Sequence, residues 1–320
     1  TLTPTQLLSN GRYSVSLRAN GAGWSRWGRS GVGRWRDDAL RDACGSFLYL
    51  RWDRQPQAVS LTQHPAPDPA AHYQSSYQAD RIVFDARWPE ISARTTVWVS
   101  PEDDIEFREV ELRNRGDRPL TLELMSAFEI TLADPRADEA HPAFSNLFIR
   151  ARWQAAQQAL MFERKPRLPG EPGLHAAHFV TSTDAGIEPT PRVQTQRLRW
   201  AGRNHDASQP LAAFPDAPLE VDTELDTGLD PVCAMSTRVR LPPHATVRLT
   251  FCTAASDNPD TLVAVIDKYR HPAPIARSSM MSATLTGIRL RELAISVENF
   301  AAVQSLTTAM LLTLARHRVT

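Results

Sequence analysis

Several features that would quickly point to a function are scarce in this chain. Cysteine is rare: Cys44, Cys233 and Cys252 are the only three in 320 residues. Their odd number and wide spacing leave no paired ligands for a zinc site and no redox motif, and suggest a reducing compartment. No apolar run approaches the roughly 18 to 20 residues of a membrane span. The opening Thr1-Leu2-Thr3-Pro4 has no signal-peptide pattern, so the expected location is cytoplasmic. With no initiator methionine, the chain is expected to be a piece of something longer. Excess charge is lacking too, since 36 basic and 36 acidic residues balance, which removes any global pull toward nucleic acid or an anionic membrane. Lysine is confined to Lys165 and Lys268, so nearly all positive charge is arginine.

Familiar catalytic templates are missing as well. Gly-x-Ser-x-Gly does not occur, and the glycines at 21, 23, 28, 31 and 33 sit in no strand-to-helix phosphate loop. The nine histidines are scattered, with no close pairing to a carboxylate that would suggest zinc or copper.

What the chain does have, up to about residue 256, is a period of two. Leu120, Leu122, Leu124, Phe128 and Ile130 share one face, with Thr121, Glu123 and Glu129 on the other. Similar alternation at Val15 and Leu17, Val97 and Val99, Val239 and Leu241, and Val247, Leu249 and Phe251 predicts antiparallel strands. Turn residues at Ser100–Asp104, Asn114–Asp117 and Leu241–His244 predict hairpins. A slip of phase between Phe107 and Val110 predicts a β-bulge. Residues 164–175 and 201–233 read as long connections, and 64–72 as a mobile hairpin tip. After Asn258 the period becomes helical: Asn258-Pro259 opens a helix to about Tyr269, a second covers Pro274 to Leu293, and Ser296 caps a third carrying Phe300, Val303, Leu306, Met310 and Leu314. The expected organisation is a β domain over 1–256 and a helical segment over 257–320, without internal repeats.

Two stretches are candidates for binding. Asp134–Phe148 is expected as a loop between two strands that gathers Asp138, His141, Ser145 and Asn146 around Phe144, although a merely solvated loop has the same composition. Gly23–Arg54 interleaves Trp24, Trp27, Trp35 and Trp52 with seven arginines including Arg34 and Arg36. Such residues can stack on bases or on sugar rings, or can pack as core with arginines in ion pairs. The nearby Asp37, Asp38, Asp42 and Asp53 oppose phosphate binding, which argues against nucleic acid. Glu102, Asp103 and Asp104 are expected to be solvated on a turn. Asp138 with Glu139 is the more interesting carboxylate pair for glycoside chemistry, though nothing in the sequence raises either pKa.

Taken together, several motifs resemble one family. Leu8-Ser9-Asn10-Gly11-Arg12-Tyr13-Ser14-Val15, Ser25-Arg26-Trp27, Arg34-Trp35-Arg36-Asp37-Asp38 and Gly45-Ser46-Phe47-Leu48-Tyr49-Leu50-Arg51 are similar to the N-terminal region of the inverting cellobiose and chitobiose phosphorylases. These form glycoside hydrolase family 94, formerly glycosyltransferase family 36. Val99-Ser100-Pro101-Glu102-Asp103-Asp104, His141-Pro142-Ala143-Phe144-Ser145-Asn146-Leu147-Phe148, Pro169-Gly170-Glu171-Pro172 and Ile266-Asp267-Lys268-Tyr269-Arg270 resemble it too, most of all the phosphorylase-like half of cyclic β-1,2-glucan synthases.

The resemblance implies a mainly β, antiparallel β-supersandwich of the galactose-mutarotase-like type, followed by linker helices that lead into a separate (α/α)6 catalytic barrel. It implies no catalytic residue, cofactor or metal in this chain, inorganic phosphate as co-substrate of the parent enzyme, and an oligosaccharide partner such as β-1,2-glucan. Members of this kind are commonly homodimers in which a β-domain loop reaches the partner's active-site mouth. By position that loop is the one around Asp138, His141, Phe144, Ser145 and Asn146, with Trp27, Arg34, Trp35 and Arg36 as supporting candidates. The parent is either a cytoplasmic phosphorylase or part of an inner-membrane synthase. Two other readings stand beside this one. One is a free-standing carbohydrate-binding module. The other is a sugar epimerase, which requires a histidine and a carboxylate across one sheet face, and no such spacing is visible in the sequence.

Overall fold

Wherever apolar and polar residues alternate, the chain forms strands with one face inward and one outward. The structure is a computed structural model, and it describes residues 3–36, 42–53, 55–166, 173–216 and 219–315. Asp37, Asp38, Arg41, Arg54 and the Pro169-Gly170-Glu171-Pro172 motif lie outside the described residues. In chain order the strands are β1 (Thr5–Ser9), β2 (Tyr13–Arg18), β3 (Gly23–Trp27), β4 (Ser30–Gly33), β5 (Phe47–Trp52), β6 (Val59–Ser60), β7 (His72–Tyr77), β8 (Ile82–Arg87), β9 (Ile91–Val99), β10 (Ile105–Asn114), β11 (Leu120–Phe128), β12 (Ile130–Ala133), β13 (Ile149–Gln154), β14 (Ala159–Arg164), β15 (Leu174–Thr181), β16 (Arg192–Gln196), β17 (Thr223–Leu225), β18 (Pro231–Leu241) and β19 (Thr246–Ser256). The helices are α1 (Pro135–Ala140), α2 (Pro142–Asn146), α3 (Arg197–Trp200), α4 (Pro259–Tyr269), α5 (Pro272–Glu292) and α6 (Val297–Ala315).

These strands build a nine-stranded sheet, β17-β13-β14-β15-β19-β10-β9-β8-β7, and two five-stranded sheets, β16-β18-β11-β5-β6 and β1-β2-β3-β4-β12. All pairings are antiparallel. The main core lies where Ile82, Val97, Val110, Leu112 and Leu249 of the large sheet meet Leu50, Leu122, Leu124 and Val239 of the second, with Tyr13, Val15 and Leu17 closing the side. Each such side chain stabilises the fold by about 1.5–3 kcal/mol. The result is the antiparallel β-supersandwich with C-terminal helices that the resemblance implies.

Several local expectations are corrected. There is no bulge between Phe107 and Val110, because β10 pairs with both β9 and β19 without a shift of register. The phase slips because the strand is covered on both faces. Ile105 and Phe107 pack outward under α4 with Trp98 and Tyr269, whereas Val110 and Leu112 face the sandwich. Ser100–Asp104 does close a hairpin, but Asn114–Asp117 and Leu241–His244 carry the chain from one sheet to another. The strand expected to run through Ile130 breaks at Glu129, with β11 and β12 in different sheets. Residues 64–72 are no hairpin tip: they cross between sheets, with Asp68 accepting from Trp88 Nε1 at 2.9 Å. The expected connection 201–233 holds β17 and the start of β18, and its Ala201 and Ala212 join the apolar cover over Tyr49 and Met125.

The helices match more closely. Asn258 Oδ1 accepts from the backbone of Asp260 at 2.8 Å and of Thr261 at 3.3 Å, and Ser296 Oγ accepts from Asn299 at 3.2 Å. α5 begins at Pro272, slightly before the expected Pro274. α6 is tied to the edge strand β1, since Thr308 Oγ1 accepts from Thr5 N and donates to Thr5 O, both at 3.0 Å. No helix among the described residues is long and apolar enough to cross a membrane.

Candidate functional site

The expected loop between β12 and β13 is two short helical turns. Pro135 and Pro142 occupy first-turn positions of α1 and α2, where a missing N–H costs nothing. Asp134 caps the first turn, its Oδ1 accepting from Arg136 N at 2.9 Å and Ala137 N at 3.4 Å. Arg164 of β14 holds the second turn from below, donating to the Ser145 carbonyl at 3.0 Å and to Ser145 Oγ at 3.3 Å.

Asp138, only 3% exposed, points from α1 into the protein. Arg34, just past β4, meets it with a fork: Nε to Oδ2 at 2.9 Å and Nη2 to Oδ1 at 3.3 Å. The same guanidinium donates to Glu129 Oε2 at 2.6 Å and to Asn146 Oδ1 at 2.7 Å. Glu129 takes a second guanidinium, Arg197 Nε at 2.6 Å, while Asn146 Nδ2 donates to Asp230 Oδ1 at 3.0 Å. Burial by itself would push Arg34 down, but its bond to Asp138 and the charges of Glu129 and Asp138 raise it instead. Burial would also raise Glu129, yet the charges of Arg34 and Arg197 hold it below its ordinary value. Asp230 is raised, by burial and then by the charge of Glu129. Two guanidiniums thus face three carboxylates, and Asp230 carries the surplus negative charge.

This network consumes the polar groups that the sequence offered as a sugar-binding set. Arg34, Asp138, Ser145 and Asn146 are brought together and satisfied by protein. What the loop turns outward is His141, Phe144 and Leu147, with Leu229 beside them; Phe144 is 47% exposed and Leu229 78%. The remaining candidates are placed elsewhere. Trp27 Nε1 donates to Asp104 Oδ2 at 2.8 Å under the guanidinium of Arg12. Arg18 lies 5.1 Å over the ring of Trp35, and Arg36 is exposed. Glu129, Arg197, Asp230 and Arg164 were missed. Alternation puts Glu129 at a water-facing position in a strand, and Arg197 and Asp230 carry no local motif.

The acidic turn is likewise not left to solvent. Asp103 Oδ2 accepts from Lys268 Nζ and from Tyr269 OH, each at 2.7 Å, so two of the quoted motifs meet in space. On the inner face of the large sheet, register aligns Glu106, Thr253 and His178 on neighbouring strands. This histidine and carboxylate on one face correct the sequence reading, for residues so far apart in the chain leave no spacing signal. The pair is closed off, however. Glu106 accepts from Tyr13 OH at 3.0 Å, from Ser25 and from Arg108 Nε at 2.9 Å. His178 lies buried between Phe128 and Phe251, and burial followed by the charge of Arg108 pushes it down to about 3, so its imidazole is neutral.

A match to a known family agrees with the architecture. The family model described as Glycosyl hydrolase 94, supersandwich domain, matches residues 1–272. The chain is 32% identical over 302 residues to cyclic beta-(1,2)-glucan synthase NdvB of Rhizobium meliloti, covering 94% of this chain and 11% of that protein. It is 24% identical over 146 residues to N,N'-diacetylchitobiose phosphorylase of Vibrio proteolyticus, covering 44% of this chain and 18% of the relative. Among solved structures, a putative kojibiose phosphorylase from human microbiome aligns with TM-score 0.42 at 7% identity, over 88% of this chain and 34% of that one. A putative aldose 1-epimerase from Escherichia coli K12 aligns with TM-score 0.40 at 9% identity, over 79% and 98%.

Proposed function

The chain belongs to the glycosyl hydrolase 94 supersandwich family, and we propose that it is the non-catalytic, carbohydrate-associated domain of a β-1,2-glucan-acting phosphorylase or cyclic β-1,2-glucan synthase, shaping the sugar site and a homodimer. The observation that carries this reading is the loop itself. A buried network fixes it through Arg34 and Arg164, while His141, Phe144 and Leu147 form an outward rim. An aromatic ring beside an imidazole suits the apolar face and the hydroxyls of a sugar. In this reading Arg34, Asp138 and Asn146 position the rim and do not touch the glucan.

The C-terminal helices support a separate catalytic barrel as partner. Met280, Leu293, Leu306 and Met310 are more than half exposed, while α5 buries only Ile275, Ser278 and Ser282. In the parent enzyme an aspartate of that barrel would protonate the leaving oxygen as inorganic phosphate attacks the anomeric carbon with inversion.

The test is Phe144→Ala and His141→Ala in the full-length parent. The expected outcome is a several-fold rise in acceptor KM with kcat and thermal stability nearly unchanged. Unchanged acceptor kinetics would refute the role of the rim. The second reading, a free-standing module, would be favoured instead if calorimetry found tight binding of β-1,2-glucan by the 320-residue chain alone.

A further inference from the structure

Across the outer face of the nine-stranded sheet, charge is handled in two ways. Strand register sets Asp85, Arg94, Glu111 and Arg248 side by side on β8, β9, β10 and β19. They neutralise one another: Arg94 Nε meets Asp85 Oδ1 at 2.9 Å, and Arg248 pairs with Glu111. Two residues further along, nearer the β10–β11 and β18–β19 turns, the same strands present Arg87, Ser92, Arg113 and Thr246. That row contains two guanidiniums, two hydroxyls and no carboxylate.

Arg115 and His244 of the adjoining turns join it, and residues Arg87, Ser92, Arg113, Asn114, Arg115 and His244 line a basin of about 450 Å³. Among the described residues no ion pair or side-chain hydrogen bond engages the guanidiniums of Arg87, Arg113 or Arg115. The nearby acids do not fill that gap. Asp117 is engaged by His244 Nε2 at 2.9 Å, and Glu90 meets Arg115 only through its backbone carbonyl, at 2.7 Å from Arg115 N. Asn114 is turned inward, its Nδ2 donating to the carbonyls of Arg118, Leu241 and Pro242.

Arg87 and Arg113 stand two strands apart, roughly 9–10 Å between backbones, so both side chains can converge over Ser92. Like charges gathered in a concavity repel, and an oxyanion that accepts from both forks relieves this while gaining charge-assisted hydrogen bonds. No Phe, Tyr or Trp lines the basin, which argues against stacked bases. We propose that this basin binds a phosphate group, supplied as the free anion or as the headgroup of an anionic lipid. The inference does not depend on the carbohydrate reading of the loop.

The experiment uses the whole chain at low ionic strength with two probes. Inorganic phosphate is titrated by calorimetry, and vesicles of phosphatidylcholine with and without phosphatidylglycerol are cosedimented. The expected result is binding of at least one probe that weakens with added salt and falls about tenfold or more in Arg87→Gln/Arg113→Gln, since both charge-assisted donors are lost. Arg150→Gln/Arg152→Gln, which removes the same charge from exposed positions on β13, should leave binding unchanged. Binding of phosphate assigns the free anion, and binding only of the anionic vesicles assigns the headgroup. Binding of neither probe, or equal losses in the two double variants, overturns the proposal. Unchanged thermal melting shows that both variants are folded.

Discussion

Arginine serves opposite purposes in two regions of this domain. Beneath the α1–α2 loop, Arg34 and Arg197 are each met by carboxylates, and the forked contact of Arg34 with Asp138 is almost wholly buried. On the outer sheet face, Arg87, Arg113 and Arg115 meet water. The contrast separates position from recognition. A guanidinium whose donors are all answered by the protein fixes backbone in place, so its removal is felt by the fold. One whose donors face only solvent costs the fold little and remains available to a ligand.

The strongest way to break this comparison is Arg34→Ala, which leaves Asp138 as an unpaired buried charge. A loss of about 3–5 kcal/mol in chemical denaturation is expected; a loss no larger than that of a surface substitution would erase the distinction. Glu129→Gln comes next, at about 1–3 kcal/mol, because Arg34 and Arg197 both lose a charged acceptor. It also carries a pH signature. Glu129 titrates below its ordinary value when folded, so its stabilisation is present above the unfolded value of 4.5 and is lost as pH falls through the lowered one. The wild type should therefore lose more stability than the variant when acidified through that range.

Asp230 sharpens the comparison in the opposite sense. Its folded pKa is raised, so the folded state binds that proton more tightly than the unfolded chain does. The resulting penalty sets in above 3.8, grows as pH rises through the raised value and persists at neutrality. Asp230→Asn should thus leave stability at pH 7 unchanged or slightly higher, readable as a small upward shift in Tm. The smallest effect is expected from Arg87→Gln/Arg113→Gln, within about 0.5 kcal/mol of wild type, as for other exposed positions without partners.

Much of the fold could be read along the chain because it depends on near neighbours. Alternation placed Val97, Val239 and Leu249 on inward faces, and Asn258-Pro259 marked the start of α4, since strand faces and helix caps are set within a few residues. The failures share a different cause. Phe107 and Val110 looked out of phase because α4, more than a hundred residues later, covers the outer side of β10. Glu129 looked like a solvent-facing strand residue because nothing nearby in sequence announces that the chain changes sheets there. Trp27 and Arg34 looked like one aromatic and cationic patch, yet they serve separate contacts with Asp104 and with Asp138.

The sequence by itself determined the antiparallel strands, the helical C-terminal segment, the family resemblance and the stretch on which the candidate site lies. Only the tertiary structure decided which of that stretch's residues point inward. Asp138 and Asn146 are claimed by Arg34 and Asp230, from 104 and 84 residues away, and His141 and Phe144 are left at the surface. A side chain's hydrogen-bonding capacity is written in its residue type, but whether protein or solvent uses that capacity depends on partners brought close by strand register and sheet packing.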